Sequence, residues 1–376
     1  MCYLVGIPGA RLMIACRIFM PLAAILVAAS AQAQTQRKDV PQPVCGDFSN
    51  DSYSNGLQSG CARTIIARQL LIHNADALSR AVAASFHIGP SLIEPVGLEN
   101  ISAEDAAARF AGGSSFLISP AADAAPITLT PKWNAWIDGK YTWNDNSREN
   151  FDLDGPLWNG LAGVDYKLTD KLTVGFLGSY ESSDLDGMAT KTDSEGWGGG
   201  AYLGVVLTDN IVFSANVLGS LIDTRQTGSL HFDSERIQAS AALNGYWYRN
   251  TWRFTPGVSV SWSNEWLEGK SDLAPDQDVE VGLLTPSVQI GDTLRLSETA
   301  SVEPWAGAAL DWTFVSQIEQ KGSPTTDDPN TDLRIQAGLN FGFCSNMQLA
   351  LTGEAGGLIL DETDTYSGAA NLAIQF

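Results

Sequence analysis

Apolar and polar residues alternate along most of the chain after residue 130, with the period of two that predicts β-strands. The clearest case is the final segment 366–376, in which Tyr366, Leu372, Ile374 and Phe376 share one face and polar or small residues share the other. A strand that is apolar on one face and stops on an aromatic residue is typical of the closing strand of an outer-membrane β-barrel.

Twelve segments with this alternation follow one another, separated by turns rich in Asn, Asp, Gly and Ser. The segments are 133–143, 157–168, 171–183, 195–208, 211–225, 235–248, 252–267, 279–295, 300–315, 332–343, 347–359 and 366–376. Short and long connections alternate, and in such barrels the short turns face the periplasm while the long loops face outward. The pattern predicts an all-β fold, a transmembrane antiparallel up-and-down β-barrel of 12 strands over residues 130–376.

The N-terminus has the pattern of a signal peptide over residues 1–33. Arg11 and Arg17 precede an apolar stretch from Ile18 to Ala29, which a small-x-small cleavage motif follows at 31–33. The stretch is shorter than the ~20 residues that a membrane-spanning helix needs. We therefore expect the mature chain to start near Gln34, with a short extension over 34–129 before the barrel, its last part (112–129) a linker.

Residues Ala62 to Phe86 of this extension have the spacing of an amphipathic helix. At 1.5 Å per residue such a helix reaches ~37 Å, enough to cross a barrel. It could be a plug whose arginines meet carboxylates in the lumen, or a helical hairpin that packs on itself in the periplasm or at the surface. The candidate contacts of a plug are Arg63, Arg68 and Arg80 on the helix and Arg334 and Glu354 on the lumen face of their strands.

Two cysteines of the extension, Cys45 and Cys61, lie in a segment rich in Gly, Ser and Asn. In the oxidising periplasm they are candidates for a small disulfide-closed loop.

Composition and charge exclude several classes of protein. After the signal peptide there is no long apolar run and the mean hydropathy is −0.04, which argues against a helical membrane protein. The net charge of −21 argues against nucleic-acid binding. The acidic residues concentrate in the predicted long loops, so we expect a negative outer rim.

No catalytic, cofactor or metal site is predicted, and we expect the protein not to be an enzyme. His231, beside Asp233, is interpreted as a solvated histidine in an outer loop. The two Asp-Leu-Asp-Gly segments, 152–155 and 184–187, lack the full spacing of a Ca²⁺ loop and are interpreted as ordinary turns.

Several segments, in this order, resemble the autotransporter β-domain family, the translocators of type V secretion in Gram-negative bacteria. The carrying segments are WNAWIDGKYTW (133–143), LWNGLAGVDYKLTDKLTVGFLGSYESSDL (157–185), WGGGAYLGVVLTDNIVFSANVLGSLIDTR (197–225), FTPGVSVSWSNEW (254–266) and EPWAGAALDWTF (303–314). The resemblance implies insertion by the barrel assembly machinery with the help of periplasmic chaperones, with Tyr366, Leu372, Ile374 and Phe376 as the C-terminal assembly signal. Outer-membrane lipid and lipopolysaccharide would surround the barrel.

The resemblance further implies that the barrel carries an N-terminal segment through its pore as an α-helix. Family members typically carry a passenger of several hundred residues, whereas only 34–129 precedes this barrel. We therefore expect the translocation or display of a short N-terminal segment in the cell outer membrane. Two alternatives stay open: a porin-like channel for small solutes that favours cations, and a structural surface protein or adhesin that uses the long acidic loops.

Overall fold

The computed structural model describes residues 52–86, 88, 131–148, 151–187, 191–227, 230–270, 276–297, 299–320, 326–327, 331–343, 346–359 and 363–376. The predicted signal peptide, Cys45 and the linker at 112–129 lie outside these residues. Within the described part of the chain there is one α-helix, α1 (Ser52–Ser85), and no helix is both long and apolar enough to cross a membrane.

Fifteen strands are described in the remaining residues. They are β1 (Trp133–Arg148), β2 (Phe151–Thr169), β3 (Leu172–Gly187), β4 (Lys191–Thr208), β5 (Ile211–Gln226), β6 (Leu230–Gly245), β7 (Trp247–Arg249), β8 (Trp252–Gly269), β9 (Gln277–Asp292), β10 (Leu294–Arg295), β11 (Ala300–Gln320), β12 (Thr326–Asp327), β13 (Thr331–Phe343), β14 (Met347–Gly356) and β15 (Thr363–Gln375). Three of them, β7, β10 and β12, are short pieces at strand ends.

The twelve long strands form one closed antiparallel barrel, as the sequence predicts. Each long strand pairs with its neighbours in the chain, and β1 closes the barrel on β15 from Asn134↔Gln375 to Asn146↔Thr363. The backbones of Trp133 and Phe376 exchange two hydrogen bonds, of 3.1 and 2.9 Å. We call the end of the barrel that contains these two residues the inner end and the opposite end the outer end.

The alternation in sequence becomes an alternation between an outward and an inward face. Along β3, for example, Phe176 points outward with 73% of its surface exposed, while Leu177 is buried toward the interior. In the closing strand, Tyr366, Ile374 and Phe376 are exposed on the outward face and Asn371 is buried on the other. Large apolar side chains on the outward face are what a lipid-facing surface requires.

The strands extend much further at the outer end than the sequence analysis predicts. β1 runs to Arg148 and β2 begins at Phe151, so most of the loop predicted at 144–156 is strand. The loop predicted at 184–194 is likewise shortened, because β3 ends at Gly187 and β4 begins at Lys191. The prediction was wrong here because the outward residues of these segments are polar, so the outward apolar pattern of the membrane-spanning part ends although the backbone pairing continues.

The helix α1 lies inside the barrel and contacts strands around the circumference, from β1 to β15. Its first half is near the outer end, because Gly60 is next to Gln277 and Ile318 at the outer ends of β9 and β11. Its last turn is near the inner end, where the side chain of Gln375 donates a hydrogen bond to the carbonyl of Ala84. With 34 residues it is longer than the predicted helix, and at 1.5 Å per residue it spans ~50 Å.

Candidate functional site: the interface between the helix and the lumen

An apolar collar surrounds the outer half of α1. Ile66, Leu70 and Leu71 of the helix are at most 1% exposed and belong to one buried cluster with side chains from the barrel wall. The wall residues of this cluster are Leu153, Leu157, Leu185, Leu230, Phe232, Leu267, Val279, Val281, Leu283 and Ile318. The interior of a water-filled outer-membrane channel is polar, whereas this collar is apolar.

A buried ion-pair network lies among the collar residues and joins the helix to three strands. Arg63 of α1 donates from Nε to Glu265 Oε1 over 2.8 Å and from Nη2 to Oε2 over 3.0 Å. Arg236 of β6 also donates to Glu265, over 2.9 Å, and to Glu181 of β3 over 2.7 Å. The side chains of both arginines and of Glu265 have no exposed surface, and the two positive charges balance the two negative ones. Such balance is what makes buried charges tolerable.

A second polar contact holds the middle of the helix against the closing strands. Asp138 of β1 lies 2.6 Å from Nε2 of His73 and accepts a hydrogen bond of 2.9 Å from Nη2 of Arg80. The side chain of Asn371 in β15 donates to the same carboxylate over 3.0 Å. Asp138 therefore links the helix to the β1–β15 seam.

A third group of charges lies next to the Asp138 contact, because Asp76 shares a helix face with His73 and Arg80. Arg334 of β13 donates to Asp76 of α1 and to Asp311 of β11, each over 3.1 Å. Glu354 of β14 is 3.3 Å from Arg334 and accepts a hydrogen bond of 2.6 Å from Lys140 of β1. The charges of helix and wall alternate in sign throughout this group.

The inner end of the helix is fixed by neutral hydrogen-bond donors around Asp165 of β2. Ser85 donates to Asp165 Oδ1 over 2.5 Å, and Tyr202 and Asn134 donate to Oδ2 over 2.6 and 2.9 Å. Thr173 donates to Oδ1 over 2.8 Å. A buried carboxylate with four donors is well satisfied without a cation in direct contact.

The five predicted contact residues do not all join the helix to the barrel wall. Arg63, Arg80 and Arg334 each form a close ion pair between helix and wall, whereas Arg68 lies 3.8 Å from Asp332. The ion pairs of Glu354 are to Lys140 and Arg334 of the wall rather than to a helix arginine. Cys61 is disulfide-bonded, and Cys45 lies outside the described residues.

Sequence reasoning missed the wall residues that meet the helix arginines. Glu181, Arg236 and Glu265 lie within the predicted strands 171–183, 235–248 and 252–267, close to their outer ends, but they were not named as contact residues. The alternation of faces along a strand could have identified them, because residues two positions apart point to the same side. Glu265, for example, lies two residues from both Leu267 and Ser263, which also point inward.

The helix does not fill the inner half of the barrel. A cavity of about 130 Å³ remains between α1 and the wall on the β8 and β13 side. Its lining includes Asp76, Ser79, Arg80, Arg253, Gln289 and Asn340. These polar side chains suit water, although apolar residues such as Phe341 and Leu349 also line the cavity.

The outward face of the outer end carries a group of acidic residues with a lysine among them. Lys191 Nζ lies 2.6 Å from Asp184 Oδ1 and 3.8 Å from both Asp186 and Asp193. The hydrogen bond with Asp184 raises the pKa of Lys191 above its ordinary value. The carboxylates outnumber the lysine here, as the negative outer rim predicted from the sequence requires.

A closed barrel of twelve antiparallel strands with an apolar outward face defines the class of the protein: it is a β-barrel of the bacterial outer membrane. Residues 135–272 match the model of the autotransporter beta-domain family. This match covers part of the barrel and confirms the resemblance seen in the sequence.

Solved structures agree on this fold. The translocator domain of autotransporter NalP from Neisseria meningitidis matches with a TM-score of 0.51 and 12% identity, over 66% of this chain and 90% of that one. The beta domain of the Bordetella autotransporter BrkA has a TM-score of 0.54 and 14% identity, over 65% and 100%. The transport unit of AIDA-I from Escherichia coli gives 0.53 and 10%, over 67% and 93%. No curated protein matches the chain.

Proposed function

We propose that this barrel translocates a short N-terminal segment to the outer surface and displays it there, and that α1 then stays in the lumen as a plug. The family of the barrel supports translocation, and the contacts of α1 support retention of the helix. The translocator part of this family is not enzymatic, which supports a non-catalytic role. Outer-membrane lipid, lipopolysaccharide, periplasmic chaperones and the barrel assembly machinery are the proposed partners.

The apolar collar is the observation that carries this proposal. Without the helix, ten buried aliphatic and aromatic side chains of the wall would line a water-filled space. Burying a Leu, Ile or Phe side chain contributes about 1.5–3 kcal/mol relative to leaving it exposed to water. A channel with an empty lumen would lose this contribution at every such position, so the collar favours an occupied lumen.

The direction of the helix supports the display of the preceding segment. Arg63, near the start of α1, binds Glu265 at the outer end, whereas Ser85 binds Asp165 near the inner end. A chain that leaves the lumen at the start of α1 therefore leaves it on the outer side.

The plug is tested by single-channel conductance of the refolded protein in planar bilayers. We expect the full chain to give low conductance and a variant that lacks residues 34–129 to give large, stable openings. Arg63→Glu in the full chain, which places a third carboxylate beside Glu181 and Glu265, should also open the channel. High conductance of the full chain, unchanged by either variant, would show instead a porin-like channel.

Display is tested separately on intact cells. An epitope that replaces residues 36–41 should bind a membrane-impermeant antibody without permeabilisation, while the same epitope placed at 120–125 should need permeabilised cells. Equal access to both epitopes, or access to neither, would contradict display of the segment that precedes α1.

A further inference from the structure

The outward face of the β5–β6 hairpin contains an imidazole between two carboxylates. Asp223 of β5 is directly opposite Asp233 of β6 in the strand register, and Arg225 is opposite His231. The side chains of Thr224 and Phe232, between these positions, are buried toward the interior. Because alternate residues of a strand share a face, Asp223, His231 and Asp233 lie together on the outward face of the outer end.

The three side chains are close enough to share one ion. His231 Nε2 is 2.9 Å from Asp223 Oδ2 and 3.4 Å from Asp233 Oδ1. One ligand atom from each residue lies within 4.8 Å of the other two. Zinc binds imidazole nitrogen and carboxylate oxygen at about 2.0–2.2 Å in tetrahedral geometry, which places neighbouring ligand atoms about 3.4 Å apart. The separation of His231 from Asp233 equals this value and that from Asp223, at 2.9 Å, is shorter, so small side-chain rotations would bring the three atoms to one ion.

Two further observations point to a cation at this position. Carboxylates directly opposite each other on one face of a sheet repel, and the nearby Arg225 and Lys270 contact only the outer oxygens of this pair, so the two oxygens beside His231 would be stabilised by a cation between them. Moreover, His231 Nε2 is enclosed and makes no hydrogen bond of good geometry, although both carboxylates are near. An enclosed nitrogen that is close to two oxygens but poorly aligned with them suits a metal ligand better than a hydrogen-bond donor.

The neighbouring cations leave the required oxygen atoms accessible. Arg225 Nε is 3.2 Å from Asp223 Oδ1, the oxygen that is not beside the histidine. Lys270 Nζ contacts Asp233 Oδ2, again the oxygen on the far side. Each carboxylate therefore has a second oxygen that faces His231.

We propose that Asp223, His231 and Asp233 bind one divalent transition-metal ion of the zinc class at the outer rim of the barrel. The imidazole favours Zn²⁺ and similar ions over Mg²⁺ and Ca²⁺, which prefer sites made of oxygen ligands alone. The two carboxylates neutralise the charge of the ion. Three protein ligands leave a fourth position open toward the solvent.

The test is calorimetric titration of the untagged, refolded full chain with ZnCl₂ at neutral pH. We expect one ion per chain, with affinity at least tenfold weaker after His231→Ala or Asp233→Asn. Asp186→Asn, in the neighbouring acidic group around Lys191, is the matched control and should leave the affinity unchanged. Lys270→Met removes a competing cation and should strengthen binding.

A second measurement does not depend on variants. Co²⁺ added to the wild-type chain should give the intense visible absorption of a four-coordinate ion, and one equivalent of Zn²⁺ should abolish it. The proposal is overturned if Zn²⁺ does not bind, if binding survives His231→Ala unchanged, or if millimolar Mg²⁺ displaces Zn²⁺. The last result would indicate a diffuse acidic surface instead of a site.

Discussion

Replacement of Arg63 by methionine tests whether the buried ion pair holds the helix in the lumen. Methionine keeps much of the length of the side chain but removes its charge. The substitution removes two hydrogen bonds to Glu265, of 2.8 and 3.0 Å, and one of 3.0 Å to Ser194. Glu265 keeps its contacts with Arg236 and Ser234, at 2.9 and 2.7 Å, so it is not left alone.

The remaining contacts of Glu265 determine the expected cost of the substitution. Removing one partner of a buried ion pair costs about 3–5 kcal/mol, and the contacts that remain at Glu265 place Arg63→Met near the lower value. About 3 kcal/mol corresponds to roughly two powers of ten in an equilibrium constant. If helix and lumen are in equilibrium, the fraction of time that the channel is open should rise about a hundredfold.

The assay is the frequency and duration of openings of single channels in planar bilayers. Arg225→Met is the matched control: the Arg225 side chain is 74% exposed on the outward face and pairs with Asp223 over 3.2 Å, so we expect a change below tenfold. The double variant Arg63→Met with Glu265→Gln removes the unbalanced charge and should recover part of the loss. Equal opening rates of Arg63→Met and Arg225→Met, or a double variant that opens as often as the single one, would refute this role of the ion pair.

Three further substitutions address packing, charge and the lipid face. Gly204→Ala would place a Cβ 2.4 Å from Val82 Cγ1 of the helix. We expect the free energy of unfolding in urea to fall by about 1–3 kcal/mol and to be recovered by Val82→Ala. An unchanged free energy of unfolding would refute the close contact. Asp138→Asn removes the charge that faces His73 and Arg80, and channel openings should become at least tenfold more frequent; a channel as quiet as the wild type would exclude Asp138 as an anchor. Phe176→Arg puts a charge on the outward face and should cost about 2–4 kcal/mol in the same unfolding assay, so an unchanged midpoint would argue that this position does not face lipid.

The sequence predicts the barrel well because the membrane imposes a simple rule on its strands. Outward side chains must be apolar where they meet lipid, so each strand alternates over the ~10 residues that cross the membrane. Phe176 and Ile374 follow this rule, and the twelve predicted segments correspond to the twelve long strands. Outward side chains need not be apolar beyond the lipid, and the outer extensions of these strands therefore lack the pattern and were interpreted as loops.

The collar escaped prediction for the same reason. Leu153, Leu185 and Phe232 point inward at heights where the outward neighbours are polar, so the alternation is reversed relative to the membrane-spanning part. A search for outward apolar residues does not detect such positions. The partners of Arg63 were missed for another reason. Glu181 and Glu265 lie within predicted strands and could be assigned to the inward face by alternation, but the strand pattern does not indicate which inward carboxylate faces which residue of the helix.

The arrangement of charge explains how a chain with a net charge of −21 can enclose so many ionised groups. Inside the barrel, acidic and basic side chains are matched across the helix–wall interface, as in Arg63 with Glu265 and Arg80 with Asp138. The buried charges of the helix are not neutralised within the helix, and those of the wall are not all neutralised within the wall, because each supplies counter-ions to the other. The apolar collar imposes the same dependence through the hydrophobic effect, since its wall residues are buried only when α1 is present. Both kinds of interaction therefore favour a single state in which the helix occupies the lumen, while the unmatched acidic residues remain at the outer rim, where water and cations can screen them.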